Sequence, residues 1–233
     1  MAPKILILTH HKCASNWLRA ICQRLGDLGL ASFEVVGGRP QQAMPDLPRA
    51  HITLYVNAPF PLAHDPASFD DCIHFVRDPR DALVSMYWSW RYSHQNNDPE
   101  IEAFRVVLNE QPVEAGLLTL LDHFRMARQI ETWPDAMADR ARLIRYEDLL
   151  ADFPAAFRHM MTAVEPASDE AVVDDVAAAT AFDTITGRSR GTEDPLSHFR
   201  KGQPGDFQNY FSAAVARAFY DRYDWLGPRL GYW

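Results

Sequence analysis

Lys4-Ile5-Leu6-Ile7-Leu8-Thr9-His10-His11-Lys12-Cys13-Ala14-Ser15-Asn16-Trp17-Leu18-Arg19 starts apolar, turns small and polar, and becomes apolar again at a different spacing. The run Ile5 to Leu8 reads as a buried strand of a parallel sheet, where both faces are covered and no alternation is needed. Trp17, Leu18, Ile21 and Leu25 then recur at helical spacing, with Ser15 as the expected N-cap. Between strand and helix lies a tight turn of small residues carrying Lys12. Such a turn aims backbone N–H groups, the positive end of a helix and an ammonium at one point, which suits an anion. The nucleoside-triphosphate loop G-x-x-x-x-G-K-S/T is absent, so the expected ligand is a different phosphate-like group. An ordinary strand-to-helix turn is the plainer alternative at this point.

The chain has 233 residues, 47% of them hydrophobic, which suits one α/β domain over 1–233 better than two. A net charge of −8 argues against a nucleic-acid surface, so any anion site has to be locally basic. Lysine occurs only at Lys4, Lys12 and Lys201. Cys13, Cys22 and Cys72 have neither disulfide-framework nor metal spacing, which fits a reducing compartment. With no leader before the first strand and no bilayer-length apolar run, the expected location is the cytoplasm.

Further strands are expected over Ala31–Val36, Ile52–Val56, Cys72–Val76 and Arg142–Tyr146, with a Pro-rich link up to Pro48. Asp78 and Pro79 start a helix through Tyr87 and beyond. Residues 91–131 read as polar helix, broken near Pro99 and again near Pro112. A helix follows Glu147-Asp148 through Met161. Thr184–Gln208 is a long polar loop, and such loops are functional or mobile. Phe211–Tyr223 is an amphipathic helix whose Val215, Phe219 and Tyr223 suit either the core or a homodimer interface. Alternating strands and helices make a mostly parallel sheet covered on both faces, a three-layer α/β/α arrangement.

Two further segments concentrate basic chemistry. Arg77-Asp78-Pro79-Arg80-Asp81-Ala82-Leu83-Val84-Ser85 sets an arginine at a strand end and a serine two turns into the next helix. Arg77 offers a planar fork for a second anion, with the Ser85 hydroxyl beside it. The alternatives are an ion pair of Arg77 with Asp78 or Asp81, and a Ser85 bonded back to its own helix. Arg200-Lys201-Gly202-Gln203-Pro204-Gly205-Asp206-Phe207-Gln208-Asn209 is a loop with adjacent cations, in which glycine permits close backbone approach.

Taken together, these segments resemble the sulfotransferases that use 3′-phosphoadenosine 5′-phosphosulfate (PAPS). Thr9 to Trp17 is similar to the family's T-x-P-K-S/T-G-S/T-T/N-W turn in its P-loop-like strand–turn–helix. Arg77 to Ser85 matches R-N/D-P-K/R-D-x-x-x-S, and Arg200 to Asn209 matches R-K-G-x-x-G-D-W/F-x-N. Tyr146-Glu147-Asp148-Leu149 also resembles a family segment. The resemblance implies that Lys12, Cys13, Ala14, Ser15 and Asn16 hold the 5′-phosphosulfate. It implies that Arg77, Ser85, Arg200, Lys201 and Gly202 hold the 3′-phosphate. Tyr146, with Thr180 and Phe182, would line the adenine, while Trp17 reads as core. The implied activity is metal-free, in-line sulfuryl transfer to a hydroxyl or amine, leaving adenosine 3′,5′-bisphosphate (PAP). The implied acceptor is a small molecule, a lipid or a carbohydrate.

The resemblance is incomplete. The histidine of the family's K-T-H segment is missing, because the chain reads Val56-Asn57-Ala58 there. Glu34, expected at the end of the second strand and spaced like the glutamate of other branches, is the first choice of general base. His11, in place of the motif proline, and His64 are the reserves. Ala14 in place of glycine predicts a turn that avoids strongly positive φ, and Cys13 removes a hydroxyl from the phosphosulfate site. Cys13 and Arg19 also satisfy C-x-x-x-x-x-R, so a cysteine-dependent phosphatase is a rival reading. A non-catalytic PAP-binding protein is another.

Overall fold

The computed structural model describes residues 2–37, 50–58, 60–94 and 98–233. The first apolar run forms β1, Lys4–Thr9, and the sheet is completed by β2 Ala31–Val36, β3 Ala50–Val56, β4 Asp71–Val76 and β5 Arg142–Arg145. All neighbours pair in parallel, in the order β2-β3-β1-β4-β5. β1, β3 and β4 are interior strands. Ile5 to Leu8, Ile52, Leu54, Ile73 and Phe75 are fully buried, which is why these segments read as apolar runs rather than alternations.

The helices follow in chain order: α1 Ser15–Asp27, α2 Pro79–Trp88, α3 Pro99–Glu110, α4 Val113–Leu121, α5 Arg125–Glu131, α6 Asp135–Arg140, α7 Tyr146–Ala151, α8 Phe153–Met160, α9 Glu170–Ala179, α10 Phe182–Thr186, α11 Ala213–Tyr223 and α12 Leu226–Leu230. They cover both sheet faces. Trp17, Leu18, Ile21 and Leu25 of α1 pack with Phe157 of α8 and Val173 of α9 on the face carrying Ile5 and Ile7. Trp133, just before α6, and Met137 within it close the opposite face over Leu6, Leu8 and Tyr55. A separate core joins α2, α4, α5 and α11 through Leu83, Tyr87, Leu120, Ile130 and Phe219. Val215 and Phe219 are therefore core residues, and the Tyr223 hydroxyl bonds to the Leu121 carbonyl. This helix face gives a homodimer no support.

Several boundaries move. Ala14, not Ser15, is the N-cap of α1, and it offers no side-chain cap. Tyr146 opens α7 rather than ending β5, because β4 pairs only as far as Arg145. The helix expected through Met161 divides at Asp152, whose carboxylate caps α8 ahead of Pro154. Glu34 lies inside β2, opposite Thr53, rather than at its end. α2 runs into a π-helical turn, Ser89–Ser93, and α9 was not anticipated. The Pro-rich link to Pro48, Pro59 and residues 95–97 of the break before Pro99 lie outside the described residues.

The strand order positions the site. β1 is flanked by β3 on one side and β4 on the other, and Thr9 pairs with Phe75. The turn after β1 and the start of α2 therefore emerge side by side at the carboxyl edge, where open α/β sheets form their crevice.

Candidate active site

The turn after β1 closes through short bonds. The Thr9 hydroxyl donates to the Cys13 carbonyl at 3.0 Å, and the Cys13 N–H donates to the His10 carbonyl at 3.1 Å. This tightness requires left-handed backbone at Lys12 (φ 67°) and Ala14 (φ 55°). The expectation that Ala14 avoids positive φ is therefore overturned. Curvature of the loop outweighs the steric preference of a Cβ-bearing residue. Because α1 has no side-chain cap, the N–H groups of Ser15 and Asn16 meet no protein acceptor among the described residues. They open into a cleft, as does the half-buried Lys12. Burial, and then the charges of Arg77 and Arg200, lower the Lys12 ammonium to about 8.

Arg77, Ser85, Arg200, Lys201 and Gly202 line the same cleft. Arg77 lies over the Tyr146 ring, 5.0 Å from its centroid, and 3.8 Å from Asp81. Its Nε is buried without a hydrogen-bond partner. The Asp81 ion pair expected as the alternative thus exists, and Arg77 lines the cleft as well. No helix carbonyl accepts from the Ser85 hydroxyl among the bonds of the described residues.

The third segment is anchored by carboxylates, of which the sequence reading weighs only Asp81, as a partner of Arg77. Buried Asp206 pairs with both Arg200 and Lys201, and Arg200 also bonds Glu193 at 2.5 Å. Burial pushes the Asp206 carboxyl up, but the hydrogen bonds from Lys201 and Arg200 outweigh it and hold it low. Asp81 accepts from the N–H groups of Gly205 and Phe207 at 2.7 and 2.8 Å. This fastens the loop to α2. Gly202 adopts φ 65°, and a Cβ there would fall 2.3 Å from the Phe182 ring, so only glycine lets this backbone lie against the aromatic.

The same cleft has an apolar slot lined by Trp17, Tyr146, Leu150, Phe182 and Ile185. Trp17 packs edge-on against Tyr146 at 5.7 Å, and its indole N–H donates to the Thr180 carbonyl at 2.9 Å. It is core, as expected, and also part of the slot. Arg190, which the sequence reading passed over, lines the cleft as well. It has no neighbour of telling type in sequence, so only the loop's path discloses it.

The candidate bases fall in different places. His11 lines the cleft. The residue is 6% exposed, and both ring nitrogens are buried without a hydrogen-bond partner. Burial, followed by the charges of Lys12 and Arg125, keeps this imidazole well below its usual range. Its own N–H donates to Gln129 Oε1 at 3.0 Å, tying the turn to α5. His10 faces the other way and bonds His74 at 2.8 Å. Glu34 accepts from Thr53 Oγ1 at 3.0 Å and stands 3.6 Å from His51; it is not in the cleft lining. His64 bonds Tyr55 and is likewise not in the lining. The Cys13 thiol is turned into the core, 3.7 Å from the Met126 sulfur, and burial pushes it up to about 12. Arg19 borders a different groove. Cys13 and Arg19 therefore form no thiolate anion loop.

Solved structures share this architecture. A mouse sulfotransferase, SULT7A1, crystallised with PAP, superposes with a TM-score of 0.67 at 19% identity, over 98% of this chain and 88% of that one. Retinol dehydratase in complex with androsterone and PAP gives 0.61 at 13% identity, over 99% and 81%. The same enzyme with retinol and PAP gives 0.61 at 12%, over 99% and 82%. At such identities the likeness speaks for the fold. The sequence itself matches the sulfotransferase domain family over residues 63–230, a span holding the second and third basic segments and beginning after the Lys12 turn. The chain belongs to the sulfotransferase family.

Proposed function

We propose that the cleft binds PAPS and that this chain transfers its sulfuryl group to a hydroxyl, with Lys12 at the reacting end and His11 as general base. The observation that carries this reading is a single cleft lined both by the cations Lys12, Arg77, Arg200 and Lys201 and by the apolar Trp17, Tyr146, Leu150, Phe182 and Ile185, which suits a nucleotide with anionic groups and a flat base. The residues fit the ligand because they bring unpaired groups to it, the Ser15 and Asn16 N–H groups and the Lys12 ammonium, with Arg77 in the same lining. PAPS supplies the sulfuryl group and a phosphate leaving group. Lys12 and the turn's N–H groups stabilise the negative charge that develops beside them. Arg77, Ser85, Arg200, Lys201 and Gly202 hold the 3′-phosphate; Tyr146 and Phe182 flank the base. Cys13 and Ala14 contribute backbone only. Arg190 adds a further cation to the lining.

The base role passes from Glu34 to His11 in this reading. Glu34 is engaged by Thr53, whereas His11 belongs to the cleft lining next to Lys12, and neither of its ring nitrogens is engaged elsewhere. A base has to reach the proton it takes. The anionic phosphosulfate beside His11 raises its basicity as the reaction proceeds. We read residues 1–233 as one domain. Three free, buried cysteines are consistent with a reducing cytoplasm. Among the described residues no helix is long and apolar enough to cross a membrane.

Thermal-shift titration with PAP, ATP and NAD tests the reading. PAP is expected to raise Tm and the other two to leave it unchanged. Label transfer from PAPS should fall about a hundredfold or more in His11→Gln and Lys12→Ala. Binding of ATP in preference to PAP would overturn the assignment. PAP binding without transfer to any acceptor would mark a non-catalytic binder.

A further inference from the structure

The segment that carries Arg200 and Lys201 is gripped by an arginine outside the cleft lining. Arg188 follows α10, where Gly187 at φ 68° turns the chain out of the helix. Its Nη2 donates to the Phe199 carbonyl at 2.7 Å, and its Nη1 donates to the carbonyls of Arg200 at 3.2 Å and Thr192 at 2.8 Å. The Arg200 carbonyl also accepts from the Asp194 N–H, and the Lys201 carbonyl from the Gly191 N–H, both at 2.8 Å. Three successive carbonyls, of Phe199, Arg200 and Lys201, are therefore drawn to the 188–194 turn. The bond to Thr192, with the Thr192 N–H donating to the Ser189 carbonyl at 3.1 Å, closes the same turn around Arg190. Arg190, Arg200, Lys201 and Gly202 line the cleft, and Arg188 does not.

Peptide planarity converts this grip into a property of the cleft. In a trans peptide the carbonyl and the following N–H point in opposite directions. Drawing the three carbonyls to the turn therefore directs the N–H groups of Arg200, Lys201 and Gly202 away from it. None of the three donates to a protein acceptor among the described residues, and successive N–H groups aimed together suit an anion. Freed carbonyls would be able to rotate toward the ligand, where their negative ends repel a phosphate. The guanidinium also lies over Phe182, 5.5 Å from the ring centroid, the ring against which Gly202 rests. This role needs two separated nitrogens in one plane; the single nitrogen of a lysine keeps the charge but not the fork.

Resting on the reading of this cleft as a PAPS site, we infer that Arg188 is a positioning residue for the 3′-phosphate. It acts without touching the nucleotide, by holding the 199–202 backbone with its carbonyls turned aside and its N–H groups free. Preference for a nucleotide that carries a 3′-phosphate over one that lacks it depends on this hold.

Calorimetry with PAP on the wild-type chain, Arg188→Gln and Arg188→Lys tests this, with adenosine 5′-phosphate as the probe that lacks the 3′-phosphate. PAP affinity is expected to fall about tenfold in Arg188→Gln, and Arg188→Lys is expected to recover less than about threefold of it. Affinity for adenosine 5′-phosphate, read by displacement of PAP, should stay within about twofold, since it makes no contact at the 3′ side. Arg200→Gln should cost at least about threefold less in the Arg188→Gln background than in the wild type, because both act through one segment. The Tm of each variant without ligand is the fold control. Hydrogen exchange on the wild-type chain gives a readout that needs no substitution. PAP should slow the Gly191 and Asp194 amides at least about threefold, since it locks the carbonyls they bond. Unchanged PAP affinity in Arg188→Gln, full recovery in Arg188→Lys, additivity with Arg200→Gln, an equal loss for both nucleotides or unchanged exchange overturns the inference and leaves the sulfotransferase reading intact. Failure of the wild-type chain to bind PAP overturns both.

Discussion

Lys12 and Ala14 bear the conformational load of the turn, each in the left-handed region. For an L-residue that region costs roughly 1–2 kcal/mol, and glycine avoids it at the expense of unfolded-chain entropy. Ala14→Gly is therefore expected to stabilise the chain by about 0.5–1 kcal/mol, read by urea denaturation. Lys12 has a second signature. Its ammonium is lowered from 10.5 to about 8 by burial and then by Arg77 and Arg200. Between those pH values the folded chain holds fewer protons than the unfolded one, so stability rises as pH climbs through that window. PAP favours the charged form, so its binding takes up a proton above pH 8. Affinity should fall about tenfold per pH unit there, with calorimetric proton uptake that vanishes in Lys12→Met. The lysine's importance was legible in the sequence. The strain at Ala14 was not, because it arises from closing Thr9 onto Cys13.

At the scale of elements, the informative feature is how α2 and the 200–209 segment are joined. Asp81 receives two N–H bonds from the loop while facing Arg77, so one carboxylate sets the distance between the two halves of the proposed 3′-phosphate site. Asp81→Asn should cost about 2 kcal/mol of stability, since a charged acceptor is replaced by a neutral one. It should also weaken PAP binding, whereas Asp78→Asn, which alters the α2 cap, should lower stability with a smaller effect on PAP. Denaturation and calorimetry on both variants separate the two effects. Arg80, inside the same motif, has a structural role. It pairs with Asp78 and lies over Phe207 and Trp233, at 4.1 and 4.8 Å from the ring centroids. The motif spacing was visible in the chain, but nothing local distinguishes Arg77, which lines the cleft, from Arg80, which does not.

For the molecule as a whole, the balance of charge around the cleft decides what it attracts. Asp81, Asp206 and Glu193 offset Arg77, Arg200 and Lys201. Lys12 and Arg190 line the cleft with no carboxylate in ion-pair contact among the described residues. In a chain of net charge −8, these two supply most of the local attraction for a polyanion. Arg190→Gln should weaken PAP binding about three- to tenfold and flatten its dependence on salt, as measured by calorimetry between low and physiological ionic strength. The sequence by itself determined the parallel sheet, the Lys12 turn and the two basic motifs, because apolar runs, Pro and Gly positions and residue order act over short range. Only the tertiary structure decided that His11 rather than Glu34 faces the cleft, that Cys13 turns into the core, and that Asp81, Asp206 and Arg190 join the site. The strand a residue sits on fixes its neighbourhood, but the direction of its side chain and the identity of its partners depend on segments a hundred residues away.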